Sequence, residues 1–348
     1  MKKPQEFIPL FKQFIKDSES GKRLKKNGER ITPSSTKVYK YVLQNLTQFS
    51  IEAKFELRIC SILRLSTREL QSEKSYWKKF YKGFTEFMYK KGCFDNYVGS
   101  NIKIIRVFFN WLKEEKDIYV GDFHKSFYIR KEEIDILVLT PDQLKFLIHD
   151  KVFEKKLTST QIKLKNIFVF GCTTGLRFSD IFLLTNKNFE KTNNEWYLKV
   201  KSQKTKTYSF IKLPNYAVEI YQKYIPKSSS TPIFGEKDLS NFNRSLKRIG
   251  EMAGFTDVVD ISREKQGVTK KITAKDAKNR FCDNMSSHMM RRTAITTMLI
   301  LGMPELLVRK ISGHSSASNS FNRYVHYAQT YIDKELSKVH DKLELYEI

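Results

Sequence analysis

Apolar residues recur at spacings of three and four through much of the first third of the chain, which predicts amphipathic helices. A short amphipathic segment, Phe7 to Ile15, comes first, and a basic stretch from Lys22 to Arg30 follows it. This basic stretch is either a solvated loop or an arm that lies on phosphate. Three longer stripes come next: Val38, Val42, Leu46 and Phe49; Trp77, Phe80, Tyr81, Phe84, Phe87 and Met88; and Ile102, Ile105, Phe108, Phe109 and Leu112. We therefore predict a small helical bundle over residues 32–117, with its aromatic residues in the core.

The helical period is lost between residues 118 and 138, and we interpret this stretch as a linker. Helix signals resume at Thr140-Pro141-Asp142-Gln143, where a threonine cap, an early proline and a glutamine form a capping box. Alternating apolar residues over 195–201 and 207–213, on either side of a polar turn, predict a β-hairpin. The remainder is helical apart from a polar, basic region at 262–283, to which the pattern assigns no role.

The pattern as a whole indicates a mainly α protein with a small β-hairpin. Its predicted parts are an N-terminal arm segment (1–31), a helical domain (32–117), a linker (118–138) and a second domain (139–348). An amphipathic tail helix from Tyr331 to Leu345 belongs to the second domain. It packs either on its own domain or on a neighbouring copy of the chain.

Charge narrows the choice of partner. Of the 348 residues, 63 are Lys or Arg and 38 are Asp or Glu, so the formal net charge is +25. Such an excess favours a polyanion, because basic side chains displace condensed counterions from phosphates. Charge alone does not separate DNA from RNA or from an anionic membrane. The outer face of the third helical stripe carries Lys103, Arg106 and Lys113, which are candidate contacts to nucleic acid.

The cysteines provide no sign of a metal site or of a disulfide framework. Cys60, Cys93, Cys172 and Cys282 lack metal-ligand spacing, both among themselves and with the histidines. We interpret them as buried apolar residues in a reducing compartment. No apolar run is long enough to span a bilayer, and the N-terminus lacks an apolar signal core. We therefore expect a cytoplasmic protein with no membrane partner and no metal or other cofactor.

Four short patterns occur in order in the second half of the chain. Each is weak by itself, since an HxxR arises readily by chance and a Gly-His pair commonly ends a helix. The combination in one order is far more specific. The patterns are Thr174-Gly175-Leu176-Arg177-Phe178-Ser179-Asp180; Lys204 within Gln203-Lys204-Thr205; His288-Met289-Met290-Arg291; and Gly313-His314 followed by Tyr324.

Together these patterns resemble the tyrosine recombinase (phage-integrase) family, whose members show Arg, Lys, His-x-x-Arg, His or Trp, and Tyr in this order. The surrounding residues match as well: TGLR-x-S-D, R-R-T-A-x-T after the histidine, and I-S-G-H before the tyrosine. The similarity runs from about Leu137 to Val339, and a helical domain precedes it, as in members with a core-binding domain. The Phe109-Asn110-Trp111-Leu112 ending and the I-S-G-H form are most like integrases of Bacteroidetes mobile elements.

The resemblance implies a site-specific DNA recombinase with a core-binding domain and a tyrosine recombinase catalytic domain. Arg177 and Arg291 match the arginines that grip the scissile phosphate, since guanidinium forks hold two phosphate oxygens at once. His288 and His314 match the residues that complete the cage around those oxygens, and His288 also exchanges a proton with the nucleophile. Lys204 matches the group that protonates the leaving 5′-oxygen.

Tyr324 matches the family's nucleophile, which forms a 3′-phosphotyrosine link without metal or cofactor. Its spacing from His314 is one residue longer than the commonest family spacing, so Tyr327 remains an alternative. Arg292 stands where many relatives have histidine, and we count it among the candidate DNA contacts. Asp180 either orients an arginine or is a first-turn acid favoured by the helix dipole, and the second interpretation is preferred.

The implied partner is double-stranded DNA, with four copies of the chain on two synapsed sites and a monomer or weak dimer in the free state. Two alternatives stay open: a type IB topoisomerase, which shares the chemistry, and an integrase-fold DNA-binding regulator without catalysis. The target sequence, and the choice among integration, excision, inversion and resolution, cannot be read from the chain, because base readout depends on groove geometry.

Overall fold

The computed structural model describes residues 5–204, 206–273, 279–315 and 318–344, and helices dominate these ranges. The helices are α1 (Phe7–Ser20), α2 (Pro33–Glu52), α3 (Thr67–Lys90), α4 (Asp95–Lys116), α5 (Pro141–His149), α6 (Lys151–Lys155), α7 (Ser159–Thr174), α8 (Phe178–Ile181), α9 (Asn215–Lys223), α10 (Leu239–Met252), α11 (Ser287–Ile300), α12 (Glu305–Ser312) and α13 (Asn319–Glu344). The strands are β1 (Gln5–Glu6), β2 (Arg58–Ile59), β3 (Phe189–Thr192), β4 (Glu195–Lys201), β5 (Tyr208–Lys212), β6 (Ile261–Lys265) and β7 (Val268–Ile272). The predicted fold class, mainly α with a small sheet, is confirmed.

The chain divides into two compact units. The first unit contains Met1–Ile134 together with Ser262–Lys271, and the second contains Asp135–Ile261 and Ile272–Ile348. The division after Ile134 lies close to the predicted boundary at 138, and the predicted parts 1–31 and 32–117 both fall in the first unit. Part of the region at 262–283, which the sequence pattern left unassigned, belongs to the first unit. Residues 274–278 of that region lie outside the described ranges.

Helix α1 is part of the core of the first unit and is not a separate arm. Phe7, Phe11 and Phe14 are fully buried, and the Phe11 and Phe108 rings lie 4.8 Å apart. The amphipathic pattern of α1 thus supplies one apolar face of the bundle, against α2 and α4. The basic stretch that follows folds back on itself, with a bridge that pairs Leu24 with Arg30.

The segment predicted to be a linker at 118–138 contributes side chains to the core of the first unit. Val120 and Phe127 are each 2% exposed and belong to this aromatic core. A 3-10 turn at Phe123–Ser126 contacts both α3 and α4. The loss of helical period therefore marks irregular backbone, some of whose side chains are buried. The sequence pattern detects the backbone change but not the burial.

The strands β6 and β7 form a hairpin whose tip is held by the first unit. Backbone N–H groups of Gln266 and Gly267 each donate to the Asp95 carboxylate over 2.8 Å. Arg263 donates to both oxygens of the Glu132 carboxylate, over 3.1 and 2.6 Å. Asp95 and Glu132 are buried, so these contacts satisfy carboxylates that would otherwise destabilise the fold. They explain why residues 262–271 join the first unit.

The core of the second unit lies around α7, which packs against α11, α10, α5 and α9. The predicted hairpin is confirmed as β4 and β5, and the sheet has a third antiparallel strand, β3, that the pattern did not predict. Helices α7 and α11 approach closely at Gly171, where an added Cβ would lie 2.4 Å from the Met290 sulfur. This close approach brings the end of α7 beside the next residue of α11, Arg291.

None of the described helices combines the length and the apolar character needed to cross a membrane.

Candidate active site

The end of α7 places Arg177 in the second unit. The helix stops at Gly175, whose φ of +67° is a left-handed value that suits glycine. Arg177 then lies at the N-terminus of α8, and its guanidinium donates to the Ser202 hydroxyl over 2.8 Å. Ser202 follows directly after β4, two residues before Lys204. Arg177 is thus held by the same turn that carries the candidate lysine.

Asp180 supports the contact between Arg177 and Ser202. Its buried carboxylate accepts a hydrogen bond from the Ser202 hydroxyl over 3.1 Å and from the Gln203 backbone N–H over 3.3 Å. Asp180 is the acid in the first turn of α8, as the preferred sequence interpretation expects. Its hydrogen bond with Ser202 also links it to Arg177, which agrees with the other interpretation. Sequence reasoning missed Ser202 altogether, because a serine beside a polar turn carries no distinctive signal.

Arg291 lies on α11, with 5% of its surface exposed. One terminal nitrogen of its guanidinium donates to the Gly175 carbonyl over 2.9 Å, and the other donates to the Ser312 carbonyl. Burial and the nearby positive charge of Arg177 lower the pKa of Arg291 to about 10, so it remains a cation at neutral pH. The Gly175 carbonyl that accepts from Arg291 lies two residues before Arg177, so the two arginines are close in the fold.

The two candidate histidines line the same site. His314 follows the left-handed Gly313 at the end of α12, and its Nδ1 lies 2.8 Å from the Ser312 hydroxyl. Burial, Arg291 and Arg177 lower the pKa of His314 to about 4. His288 lies in the first turn of α11 and is partly open to solvent.

The pKa of His288 also falls to about 4, through desolvation and through surrounding charges. Those charges are Arg292, Arg291, Arg323 and Lys204. Lys204 itself is exposed in the turn between β4 and β5. The effect of its charge on His288 agrees with the sequence prediction that both belong to one site. Thr205, the third residue of that turn motif, lies outside the described residues.

Tyr324 reaches the site from α13. Its side chain is buried, and its ring centroid lies 6.0 Å from that of His314. A negative charge on Tyr324 would raise the pKa of Arg291 and that of Arg292. Tyr327 has a different neighbourhood: burial raises its pKa, and the charge that acts on it is that of Tyr331. These contacts favour Tyr324 over Tyr327 as the nucleophile.

The remaining candidates lie at different places. Lys103 and Lys113 are exposed on α4 of the first unit, and Arg106 is half-buried there. Arg292 is half-buried beside Tyr324, and its Nε is a buried donor without a hydrogen-bond partner in the described part of the chain. The described ranges contain no group of three or more His, Cys, Asp or Glu side chains arranged to hold a metal ion.

The candidate site therefore combines two guanidinium groups, two imidazoles, one lysine side chain and a phenol. At neutral pH the imidazoles are uncharged, because their pKa values lie near 4. Two cationic forks around one space fit a tetrahedral oxyanion such as a phosphodiester. A phenol beside them can act as a nucleophile toward phosphorus.

Substitution of Ser202 by alanine tests the link between Asp180 and Arg177. Ser202→Ala leaves the Asp180 carboxylate and the Arg177 guanidinium without their shared partner. We expect the free energy of unfolding to fall by about 1–3 kcal/mol, the usual effect of an unsatisfied buried group. Any reaction that depends on the Arg177 fork should slow about tenfold, since tenfold corresponds to about 1.4 kcal/mol.

Urea unfolding and single-turnover kinetics measure these two effects. Ser209→Ala is a matched control, because Ser209 is a half-buried serine of β5 whose hydroxyl donates to the Ile311 carbonyl. Ser202→Ala with unchanged kinetics would show that Arg177 does not need this support.

The lowered histidine pKa values predict how stability depends on pH. An unfolded histidine titrates near pH 6.5, whereas His124, His288 and His314 titrate near 4 in the folded chain. Between these values the unfolded chain binds more protons than the folded chain does. Stability is therefore present above pH 6.5 and is lost as the pH falls toward 4. Urea midpoints measured from about pH 7.5 to about pH 5 should decrease.

The double variant His288→Gln, His314→Gln should show a shallower decrease than the unsubstituted chain over this range. Glutamine does not titrate there, and His124 would remain as the third contributor. Parallel curves for the two proteins would contradict the lowered pKa values at the site.

Comparisons with known proteins give a consistent result. A model described as the phage integrase family matches residues 138–330, which is more than half of the chain. Among solved structures, the chain is similar to the Tn1549 transposon integrase in complex with a circular intermediate DNA. The identity is 15%, the TM-score is 0.56, and the match covers 93% of this chain and 95% of that one.

Two further solved structures are similar. One is the XerH site-specific recombinase bound to a palindromic difH substrate, with 16% identity, a TM-score of 0.58, and coverage of 94% and 84%. The other is a lambda integrase dimer bound to a COC′ core site, with 12% identity, a TM-score of 0.58, and coverage of 92% and 77%. No curated protein sequence matches the chain. At these identities the structural likeness shows a shared fold.

Proposed function

The chain belongs to the phage integrase family, and we propose that it is a site-specific DNA recombinase that cuts and rejoins DNA through Tyr324. The observation that carries this proposal is a set of contacts in the second unit. Arg291 donates to the Gly175 carbonyl, two residues before Arg177, and its other terminal nitrogen lies 3.3 Å from His314 Nδ1. The Tyr324 ring centroid lies 6.0 Å from that of His314. Desolvation and nearby positive charges, with Arg291 and Lys204 among them, lower the pKa of His288, which supports its inclusion in the same set.

In this proposal the arginines hold the scissile phosphodiester. Its negative charge repels nucleophiles, and two guanidinium forks neutralise the two non-bridging oxygens as charge builds up in the transition state. Arg291 is fixed by the Gly175 and Ser312 carbonyls and Arg177 by Ser202, so both are oriented before DNA arrives. Such preorganisation avoids reorienting dipoles during the reaction.

The Tyr324 oxygen then attacks phosphorus. The phenolic proton passes to the imidazole of His288, which is uncharged at neutral pH and therefore has a ring nitrogen free to accept it. The bond from phosphorus to the 5′-oxygen breaks, and Lys204 supplies the proton to that leaving oxygen. The products are a 3′-phosphotyrosine and a free 5′-hydroxyl. The new ester replaces the broken one, so attack by a 5′-hydroxyl can reverse the step without ATP.

The excess of basic residues, +25 in total, supports double-stranded DNA as the partner. We propose that Lys103, Arg106 and Lys113 on the first unit and Arg292 in the second contact its phosphates. We further propose that four copies assemble on two synapsed sites and that the free protein is a monomer or weak dimer. The exposed Ile332 and Leu336 on α13 support a tail that docks onto a neighbouring copy. Leu345 and the side chains of Val339 and Leu343 lie outside the description.

The sequence similarity to integrases of Bacteroidetes mobile elements leads us to propose that the enzyme serves such an element. Its DNA substrate would then be in the cytoplasm. The Phe109-Asn110-Trp111-Leu112 ending and the I-S-G-H form support this assignment.

Covalent capture on nicked DNA tests the proposal. A pool of duplexes of random sequence carries one nick each, so that cleavage beside the nick releases a short 5′-hydroxyl strand that diffuses away. The enzyme should become linked to DNA, and peptide mapping should find the adduct on Tyr324. Binding without any adduct would favour the non-catalytic regulator. Rapid relaxation of any supercoiled plasmid by the monomer would favour the topoisomerase.

A further inference from the structure

Arg309 on α12 is a buried arginine that the sequence motifs do not single out. Only 7% of its surface is exposed, yet all three of its side-chain nitrogens donate hydrogen bonds. The Nε donates to Glu305 over 2.7 Å, and one terminal nitrogen donates to the Ser315 and Ser318 carbonyls over 3.1 and 3.3 Å. The other terminal nitrogen donates to the Asn322 side chain over 3.1 Å. One side chain thereby joins α12, the following loop and the first turn of α13.

The contacts of Arg309 reach both His314 and Tyr324. Its guanidinium lies 4.1 Å from the ring centroid of the fully buried Phe321. The Phe321 ring in turn contacts the rings of His314, at 5.2 Å, and Tyr324, at 5.7 Å. The backbone N–H of His314 donates to the Arg309 carbonyl over 2.9 Å. Arg309 therefore touches each end of the segment that joins the candidate histidine to the candidate nucleophile.

A gain in stability alone does not explain why an arginine is buried at position 309. Burial of a guanidinium costs several kcal/mol, and its one carboxylate partner, Glu305, has a side chain that is 43% exposed. The other partners are carbonyl and amide oxygens. Well-packed apolar residues commonly replace buried ion pairs with little loss of stability. The planar fork does what an apolar side chain cannot do, because it fixes several oxygens in one plane.

We propose that Arg309 is a positioning residue that sets where the Tyr324 hydroxyl lies relative to Arg291 and His314. This inference rests on the proposed function of Tyr324. The nucleophile follows a loop, and a loop without cross-links would let α13 shift along its own axis. A displacement of about 1 Å in a reacting group lowers the rate about a hundredfold. Arg309 opposes such a shift by holding the loop carbonyls and the first turn of α13 together.

Three substitutions separate positioning from stability. Arg309→Met keeps the length of the side chain and removes every polar contact that the side chain makes. Arg309→Lys keeps the charge and part of the hydrogen bonding. Glu305→Gln is the matched control, because it weakens the ion pair and leaves the contacts to the loop and to Asn322 in place.

For each protein, the rate of covalent capture at saturating nicked DNA, the Kd for intact DNA and the melting temperature are measured. We expect Arg309→Met to slow capture about a hundredfold with Kd changed less than about threefold. Arg309→Lys should restore part of the rate, and Glu305→Gln should stay near the unsubstituted chain. Asn322→Ala, at an exposed position of α13, should slow capture less than Arg309→Met does. Asn322→Ala combined with Arg309→Met should slow it no further.

Capture by Arg309→Met at the unsubstituted rate would overturn the inference. A loss of rate that follows the fall in melting temperature across the whole set would overturn it as well, since a purely structural role predicts that relation. Should Arg309→Met fail to fold, Asn322→Ala decides: an unchanged rate contradicts positioning. Absence of capture by the unsubstituted chain would instead overturn the proposed function, and this inference with it.

Discussion

Replacement of Tyr324 by phenylalanine is expected to abolish covalent capture of nicked DNA while leaving the affinity for intact DNA unchanged. Tyr324→Phe removes one oxygen atom, the atom that would form the bond to phosphorus. The ring keeps its contacts with Phe321 and His314, so packing should be preserved. The adduct is detected by its slow migration in a denaturing gel. No residual adduct should appear, because phenylalanine has no oxygen that could attack phosphorus.

Tyr327→Phe is the matched control for this experiment. Tyr327 lies one helical turn further along α13, and its electrostatic partner is Tyr331. Its loss should leave capture within about twofold of the unsubstituted rate, as is usual for a substitution away from a reacting group. Capture that survives Tyr324→Phe and disappears in Tyr327→Phe would transfer the nucleophile to Tyr327. The nucleophile would then lie one helical turn further from His314 than Tyr324 does.

Much of the helical architecture follows from the spacing of apolar residues. The stripes at Trp77–Met88 and Ile102–Leu112 fall on α3 and α4, where they form the aromatic core. Burial outside regular helices does not follow in this way. Phe127 lies in irregular backbone, and nothing in its neighbours' period shows that it is covered. The sequence does not predict the role of α1 for a related reason. A short segment beside a basic stretch gives no sign of the helices against which it will pack.

The candidate site likewise contains residues that the order of motifs predicts and residues that it does not predict. Arg177, His288 and Arg291 stand in motifs whose order is specific, and Arg291 donates to the Gly175 carbonyl, two residues before Arg177. Ser202 and Arg309 act through hydrogen bonds to a carboxylate and to backbone carbonyls. Carbonyl oxygens occur at every residue, so no residue type marks such a partner in advance. Supporting residues of this kind become visible only when the chain is folded.

Arg177→Lys is expected to slow covalent capture about a hundredfold, the second largest effect in the site. Lysine keeps the positive charge but offers a single nitrogen in place of a planar fork. The Ser202 hydroxyl holds one Arg177 nitrogen at 2.8 Å, which leaves the rest of the fork for phosphate. A lysine that donates to Ser202 would have little left for the phosphate oxygens. Removal of one preorganised donor in comparable sites lowers kcat about 10²–10³-fold.

The rate of capture at saturating DNA measures this effect, with the Kd for intact DNA measured alongside it. Retained charge should keep the Kd within about threefold, because phosphate affinity depends mainly on the number of cations. The loss should therefore appear in the rate and not in binding. Lys103→Met on α4 should have the opposite pattern of effects. It should weaken binding to DNA and reduce the dependence of binding on salt concentration, while the rate of capture at saturating DNA stays unchanged. If Arg177→Lys captured DNA at the unsubstituted rate, charge alone would suffice at this position. The fork geometry on which the proposed grip of the phosphate depends would then have no catalytic role.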